Sequence, residues 1–328
     1  MSVSLAKKWR HALEAVLVRG VAWGVPRLPR RGVLALAKVA GRAAYLADAR
    51  GRKTGRENLR VVFPEKEQAW RDAVLVRSYQ SFARTMLDLF WAPNLDAQSI
   101  QRWNILAPDS PETEAHAAAQ GALWCTPHYG NFEWIALSMG WRGFPMMVVA
   151  QDFKNAALTP IFARLRGLSG HTAISSAGAM LRLFKNLKRG GHSSFLCDLT
   201  IKPSQAATVI RCFGLKMSAT ILHAALVERT GLPVIPMLSV PQEDGTYAVR
   251  MWPAQHFPPG TPHADIAQRI WDLFEPAIRE QPEHWLWMYK HWRYLPADAE
   301  GRAYPSYANR SKKFDKLEAS LSVPAMLR

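Results

Sequence analysis

The residue pattern predicts an α/β fold: a central, mostly parallel mixed sheet flanked by helices, with a helical region ahead of it. Two observations carry that expectation. Up to about residue 91, apolar residues recur at helical spacing, with breaks at Pro26, Pro29 and Pro64. From Gly121 onward, short apolar runs alternate with longer helical stretches, the signature of strands linked by helical crossovers.

Taken in order, helices are expected over 5–25, 31–48, 50–61 and 66–91. Strands are expected over 121–126, 145–150, 193–197, 207–212, 233–240 and 246–252. Helices over 131–140, 155–168, 177–189, 217–230, 263–280 and 282–292 complete the alternation. Pro241-Gln242-Glu243-Asp244-Gly245 has hairpin-turn chemistry, so one antiparallel pair joins the otherwise parallel sheet. No internal repeat or low-complexity linker divides the chain. The expected organisation is a basic amphipathic helical region over 1–60, an α/β body over 61–300 and a basic tail over 301–328.

With 328 residues, 48% of them hydrophobic, the chain can bury a large core. Its formal charge of +16 favours acidic partners: nucleic acid, an anionic membrane surface or an acidic carrier protein. The charge is concentrated at the ends. Residues 1–60 hold 14 Lys/Arg against 3 Asp/Glu and residues 301–328 hold 6 against 2, so the body between them is nearly neutral. A neutral body with basic ends points to docking on a surface. Leu13, Val16, Leu17, Val21 and Trp23 recur near helical spacing among basic residues, which suits either a helix lying in a membrane interface or a surface helix packed on the core. Charges interrupt the early apolar residues, so neither a cleavable signal peptide nor a run long enough to span a bilayer is evident. Cys125, Cys197 and Cys212 show no CxxC spacing, which fits a reducing compartment and offers no cysteine metal site.

The most informative segment is His128-Tyr129-Gly130-Asn131-Phe132-Glu133, directly after the apolar run 121–127. It places a histidine where a buried strand ends and a carboxylate in the first turn of the following helix. A carboxylate beside an imidazole fixes its tautomer and stabilises the imidazolium, making it a base able to deprotonate a hydroxyl. A second His-x4-acid pair, His223 and Glu228, lies inside a helical-looking stretch where five residues turn the side chains to different faces, and is set aside. At His128, Gly130 and Asn131 tolerate unusual backbone angles and let the chain bend. Asn131 also has the chemistry of a helix N-cap.

Four blocks together resemble the late acyltransferases of lipid A biosynthesis, the lauroyl/myristoyl transferases of Gram-negative bacteria, within the wider glycerolipid acyltransferase superfamily. They are Arg56-Glu57-Asn58-Leu59-Arg60-Val61-Val62-Phe63-Pro64-Glu65, His128 to Trp134, Asp198 through Phe213-Gly214, and Pro282-Glu283-His284-Trp285-Leu286-Trp287-Met288-Tyr289. The resemblance covers about residues 30–295. It implies a glycerol-3-phosphate acyltransferase-like fold and transfer of a fatty acyl chain from acyl carrier protein to a hydroxyl of a lipid A precursor. Carried over, His128 is the general base and Glu133 its orienting carboxylate. Arg166, with Arg164 as its neighbour, falls on the family's arginine motif before Gly167, and Asp198 matches a family aspartate with a binding or structural role. Arg166 or the Gly130 and Asn131 amides are the candidate oxyanion donors. No cofactor or metal is implied beyond the acyl-carrier or acyl-CoA co-substrate, and the implied location is the cytoplasmic face of the inner membrane, peripheral or N-terminally anchored.

The chain departs from the family at Leu199, where a polar residue is common, and at Cys212-Phe213, where an aromatic pair precedes the glycine. Both bear on the acceptor rather than the reaction. The alternative is an acyltransferase acting on another lipid, a phospholipid or an amino-acid lipid, with acyl-CoA as donor. A non-catalytic membrane-binding or nucleic-acid-binding protein is a remote alternative: the excess charge sits at the ends, and no zinc, helix-turn-helix or aromatic RNA-binding signature is present. Hydrolase motifs of the Gly-x-Ser-x-Gly or His-Glu-x-x-His type are absent. Arg182, Lys185, Lys188 and Arg189, at helical spacing, suit either an acidic carrier helix or solvent.

Overall fold

The computed structural model describes residues 5–107, 110–150, 153–204, 206–299 and 304–322. Four helices come first: α1 (Leu5–Gly24), α2 (Arg30–Ala47), α3 (Ala49–Val62) and α4 (Gln68–Trp91). Pro26 and Pro29 account for the break between α1 and α2, since proline cannot continue a helix but is accepted at its start. Asp48 starts α3 by accepting from the Gly51 amide at 2.8 Å. Helix α2 turns Val33, Ala37, Gly41 and Tyr45 inward against α4, with Gly41 directly over the Gln80 backbone.

The remainder alternates as expected: α5 (Ile100–Trp103), β1 (Asn104–Leu106), α6 (Ser110–Gln120), β2 (Leu123–Thr126), α7 (Phe132–Trp141), β3 (Met146–Val149), α8 (Thr159–Arg166), β4 (Thr172–Ile174), α9 (Ala179–Lys188), β5 (His192–Leu196), β6 (Ala207–Cys212), β7 (Leu215–Thr220), α10 (Leu222–Thr230), β8 (Val234–Pro241), β9 (Tyr247–Met251), α11 (His263–Glu280), β10 (Tyr294–Leu295), β11 (Asn309–Arg310) and α12 (Lys312–Ser322). Seven strands form the main sheet in the order β1-β9-β8-β2-β5-β3-β4, all neighbours parallel except the β8–β9 hairpin. Strand β2 is buried along its whole length, as a central strand covered on both faces must be.

Three elements differ from expectation. Residues 207–212 form no part of the main sheet. They pair with β7 in a separate antiparallel hairpin, so the helix expected over 217–230 begins only at Leu222. The turn of that hairpin is Phe213-Gly214, both at positive φ (52° and 77°), the two-residue geometry that matches strand twist. The segment 282–292 is a short 3₁₀ turn followed by irregular chain rather than a helix. Its carbonyls are taken by side chains instead: Asn58 Nδ2 donates to Trp287 and Tyr289, and Ser78 Oγ to Trp285. The basic 301–328 stretch is described only over 304–322, where α12 packs against β6.

Candidate active site

Strands β2 and β5 are parallel neighbours, with Leu123 opposite Ser193 and Thr126 opposite Leu196. Carrying that register two residues past the carboxyl ends sets His128 opposite Asp198. The structure joins them there. His128 Nδ1 lies 2.7 Å from Asp198 Oδ1, and the His128 amide donates to Asp198 Oδ2 at 2.9 Å. Trp285 Nε1 donates to the same Oδ2 at 2.8 Å.

The Asp198 carboxylate is fully buried yet accepts three hydrogen bonds, which lets it remain charged away from water. Burial pushes its pKa up, but the attraction and hydrogen bonds of His128, with a smaller contribution from His291, outweigh burial and hold it below the usual carboxylate range. An ionised carboxylate can only accept, so Nδ1 carries the proton and the Nε2 lone pair is left to act as base. Nε2 has no protein hydrogen bond among the described residues, and the side chain is 13% exposed, enough for a substrate to reach it. Phe132 braces the ring edge-on, with ring centroids 5.0 Å apart.

Glu133 does not hold His128. Among the described residues its oxygens meet Arg166 instead: Nε at 3.2 and 3.0 Å and Nη2 at 2.5 Å. The reason is local. The chain turns at Gly130 (φ 53°), α7 starts at Phe132, and a first-turn carboxylate then faces the C-terminal end of α8, where Arg166 lies. The guanidinium is partly buried, which disfavours its charge, but attraction and hydrogen bonds from Glu133 raise its pKa above the ordinary arginine value. Among the described residues, the fork keeps donors free beyond those bound to Glu133. Arg164, two residues earlier, is exposed, without an ion pair or hydrogen bond among the described residues.

The Gly130 and Asn131 amides, expected as oxyanion donors, are already committed. Gly130 N donates to His284 O at 2.9 Å and Asn131 N to Ser239 O at 3.3 Å. Gly130 itself is irreplaceable in this turn, because a Cβ there would sit 1.6 Å from the Ser239 carbonyl oxygen. The Asn131 side chain caps α7, its Oδ1 accepting from Trp134 N at 2.9 Å, an interaction worth about 1 kcal/mol. Its Nδ2 donates to Asp88 at 3.0 Å.

The sequence pattern alone does not single out Asp88. It is fully buried on α4 and gathers Arg30, Asn131 and Tyr247 on its carboxylate, while its carbonyl accepts from Trp134 Nε1 at 2.8 Å. One turn earlier, Thr85 Oγ1 donates to Gly130 O at 2.7 Å. Helix α4 thus clamps the turn that carries His128. The available signal was a lone acid in the otherwise apolar run Met86 to Trp91.

The four sequence blocks converge here. Asn58 holds the 285–289 segment, Trp285 of that segment holds Asp198, and Phe213 packs against Trp285 at 5.4 Å between ring centroids. His291 stacks on Trp285 at 4.0 Å. Among the described residues no group of three or more His, Cys, Asp or Glu is placed to hold a metal ion. The set-aside pair stays apart: His223 is buried against Phe195, and Glu228 meets His263 at 2.9 Å.

The model of the bacterial lipid A biosynthesis acyltransferases matches residues 4–294, spanning every block just described. The chain belongs to that family. It is 22% identical over 288 residues to the lipid A biosynthesis lauroyltransferase of Escherichia coli (strain K12), covering 86% of this chain and 92% of the relative. It is 23% identical over 254 residues to a phosphatidylinositol mannoside acyltransferase of Mycobacterium tuberculosis (strain CDC 1551 / Oshkosh), covering 76% of this chain and 80% of the relative. Family membership makes the protein an acyltransferase acting on lipid A or a related glycolipid.

Proposed function

We propose that this acyltransferase moves a fatty acyl chain from an acyl carrier protein thioester to a hydroxyl of a lipid A precursor at the cytoplasmic face of the inner membrane, with His128 as base and Asp198 as its orienting carboxylate. The observation that carries the mechanism is the buried Asp198–His128 hydrogen bond, which leaves Nε2 as the accessible basic atom. Nε2 takes the acceptor's hydroxyl proton as the oxygen attacks the thioester carbonyl carbon. The tetrahedral intermediate collapses with cleavage of the C–S bond, and the imidazolium returns the proton to the departing thiolate. General-base assistance of this kind contributes about 10²- to 10⁴-fold.

Arg166, held by Glu133, faces anionic groups of the substrates: the phosphates of the acceptor or of a phosphopantetheine arm. The exposed basic residues Arg182, Lys185 and Lys188 along α9, with Arg189 just beyond its end, offer an acidic carrier a complementary surface.

A second reading keeps the chemistry and changes the acceptor to another glycolipid, with acyl-CoA as donor. The change of acceptor is favoured by the mycobacterial relative, named for a glycolipid acceptor and matched at an identity no lower than that of the lauroyltransferase. Purified protein incubated with a panel of acyl-carrier thioesters and a tetraacylated lipid A precursor should show one added acyl mass that is lost in His128→Ala. No added mass from folded protein, with transfer from acyl-CoA to another glycolipid, would replace the first reading by the second.

A further inference from the structure

The short strands β10 and β11 pair in parallel, Tyr294 beside Asn309 and Leu295 beside Arg310, and so bring two basic segments of the sequence together. At their junction lies a cavity of about 410 Å³, lined in the main by Lys290, Arg293, Tyr294, Tyr307, Asn309 and Arg310. That volume falls within the range of small-molecule sites, roughly 300–1,000 Å³. The wall made by Tyr307, Asn309 and Arg310 lies beyond residue 294, where the match to the family's model ends. Part of the basic tail thus belongs to a defined concavity.

Three cations converge there without a counter-ion. Among the described residues Lys290, Arg293 and Arg310 form no ion pair, and no carboxylate lines the cavity; Asp298 and Glu318 hold Lys216, and Glu57 holds Arg60. Cations on an open surface are satisfied by water. These are instead fixed by the chain: Arg310 Nη1 donates to Pro296 O at 2.8 Å, Arg293 Nε donates to Lys290 O at 3.3 Å, and the Lys290 ammonium lies 5.3 Å over the Tyr307 ring. The remaining guanidinium nitrogens have no partner among the described residues. Like charges held in one concavity repel, and an anion with several acceptor oxygens relieves that repulsion while taking up the unused donors.

The neutral walls add a second requirement. Tyr307 Oη is bound to Asn58 and accepts from Trp292 N at 3.4 Å, and Tyr294 stacks on Phe314 of α12 at 5.5 Å between ring centroids, so both rings are in place before a ligand arrives. Asn309 Nδ2 donates to Tyr307 O at 2.9 Å, which leaves its Oδ1 to accept from a hydroxyl. A bare phosphate would use the cations alone. A phosphorylated sugar uses the cations, the aromatic faces and the amide together. The cavity also adjoins the segment that braces the catalytic aspartate: Lys290 precedes His291, whose Nδ1 lies 3.2 Å from Asp198 O, and Tyr289 Oη donates to Thr200 O at 2.9 Å.

We propose that this cavity is a second phosphate site, separate from Arg166, that binds a phosphorylated sugar, with the phosphate on Lys290, Arg293 and Arg310 and the ring against Tyr294 and Tyr307. The sugar phosphate is either the headgroup of the glycolipid acceptor or a free molecule in solution. Only the first source rests on the reading above.

The full-length protein is titrated by calorimetry with glucose 1-phosphate, glucose and inorganic phosphate. Glucose 1-phosphate should bind the wild type and Arg166→Gln alike, inorganic phosphate more weakly, and glucose not at all. Arg293→Gln/Arg310→Gln, at two exposed positions, should weaken glucose 1-phosphate binding by about tenfold or more, as loss of charged hydrogen bonds requires. Acyl transfer to a phosphorylated glycolipid then separates the sources: a raised KM in the double variant assigns the site to the headgroup, and an unmoved KM with binding lost assigns it to a free sugar phosphate. Equal affinity of the wild type and the double variant would overturn the proposal, as would loss of binding in Arg166→Gln or the absence of binding to the wild type. Inorganic phosphate bound as tightly as glucose 1-phosphate would remove the sugar from it.

Discussion

Two buried carboxylates sit on either side of the catalytic turn, and they hold different partners. Asp198, at the end of β5, accepts three hydrogen bonds and presents a single oxygen to an imidazole. Glu133, in the first turn of α7, grips a guanidinium with both oxygens. The difference lies in what each partner can do. Imidazole held at one nitrogen can exchange a proton at the other, whereas guanidinium keeps its charge at any physiological pH. The first pair is built for proton transfer and the second for fixing positive charge, so proximity in sequence to His128 was a poor guide to partnership.

Asp198→Asn breaks the first pair and should have the largest effect. An asparagine of the same shape can donate to Nδ1 and invert the tautomer, so kcat should fall by about 10²- to 10⁴-fold with little change in KM. A wild-type kcat in folded Asp198→Asn would dissolve the distinction between the carboxylates. Gly130→Ala strikes the turn between them, where a Cβ meets the Ser239 carbonyl at a positive φ. It should lose nearly all activity and melt several degrees lower by calorimetry, and a normal melting temperature with normal activity would show the turn to be tolerant.

Glu133→Gln breaks the second pair. It leaves the Arg166 charge partly buried without its counter-ion, so stability should fall by about 2–4 kcal/mol in denaturant titration. KM for the phosphorylated substrate should rise more than kcat falls. A purely kcat effect would transfer Glu133 to the proton-transfer side of the comparison.

Buried histidines outside the site sharpen the contrast with His128. Burial pushes the His223 pKa down to about 4, and neither ring nitrogen has a hydrogen-bond partner among the described residues. His171 is also lowered by burial, and it accepts from Met146 N while its other nitrogen faces Ala136 O, an arrangement suited to the neutral ring. Both have folded pKa values below the unfolded value of about 6.5, so the unfolded chain binds more protons below that pH. Stability should be level above pH 6.5 and fall as the pH drops toward 4, as read by urea midpoints. His223→Leu should flatten part of that slope and raise the melting temperature by about 2 °C at neutral pH, the smallest effect expected here. An unchanged slope would mean that His223 is already protonated in the fold.

Much of the frame was legible because periodicity is local. The four N-terminal helices, the β8–β9 hairpin and the strand ending before His128 all follow from spacing and turn chemistry. The β6–β7 hairpin was hidden because its turn puts Phe213 at positive φ, where a phenylalanine is rarely found. Strands β1 and β4, three residues each, are too short for alternation to register. Within the site, His128, Asp198, Glu133 and Arg166 were all named from sequence, but their pairing was not. That pairing depends on the β2–β5 register, which sets residues 70 apart side by side, and on the direction in which α7 leaves its cap.

The most direct test is the tautomer of His128, read by nitrogen-15 NMR of histidine-labelled protein and assigned by its loss in His128→Gln. The account predicts an Nδ1-protonated ring in the wild type and in Glu133→Gln, and a displaced signal in Asp198→Asn. A signal that moves in Glu133→Gln and stays in place in Asp198→Asn would contradict it.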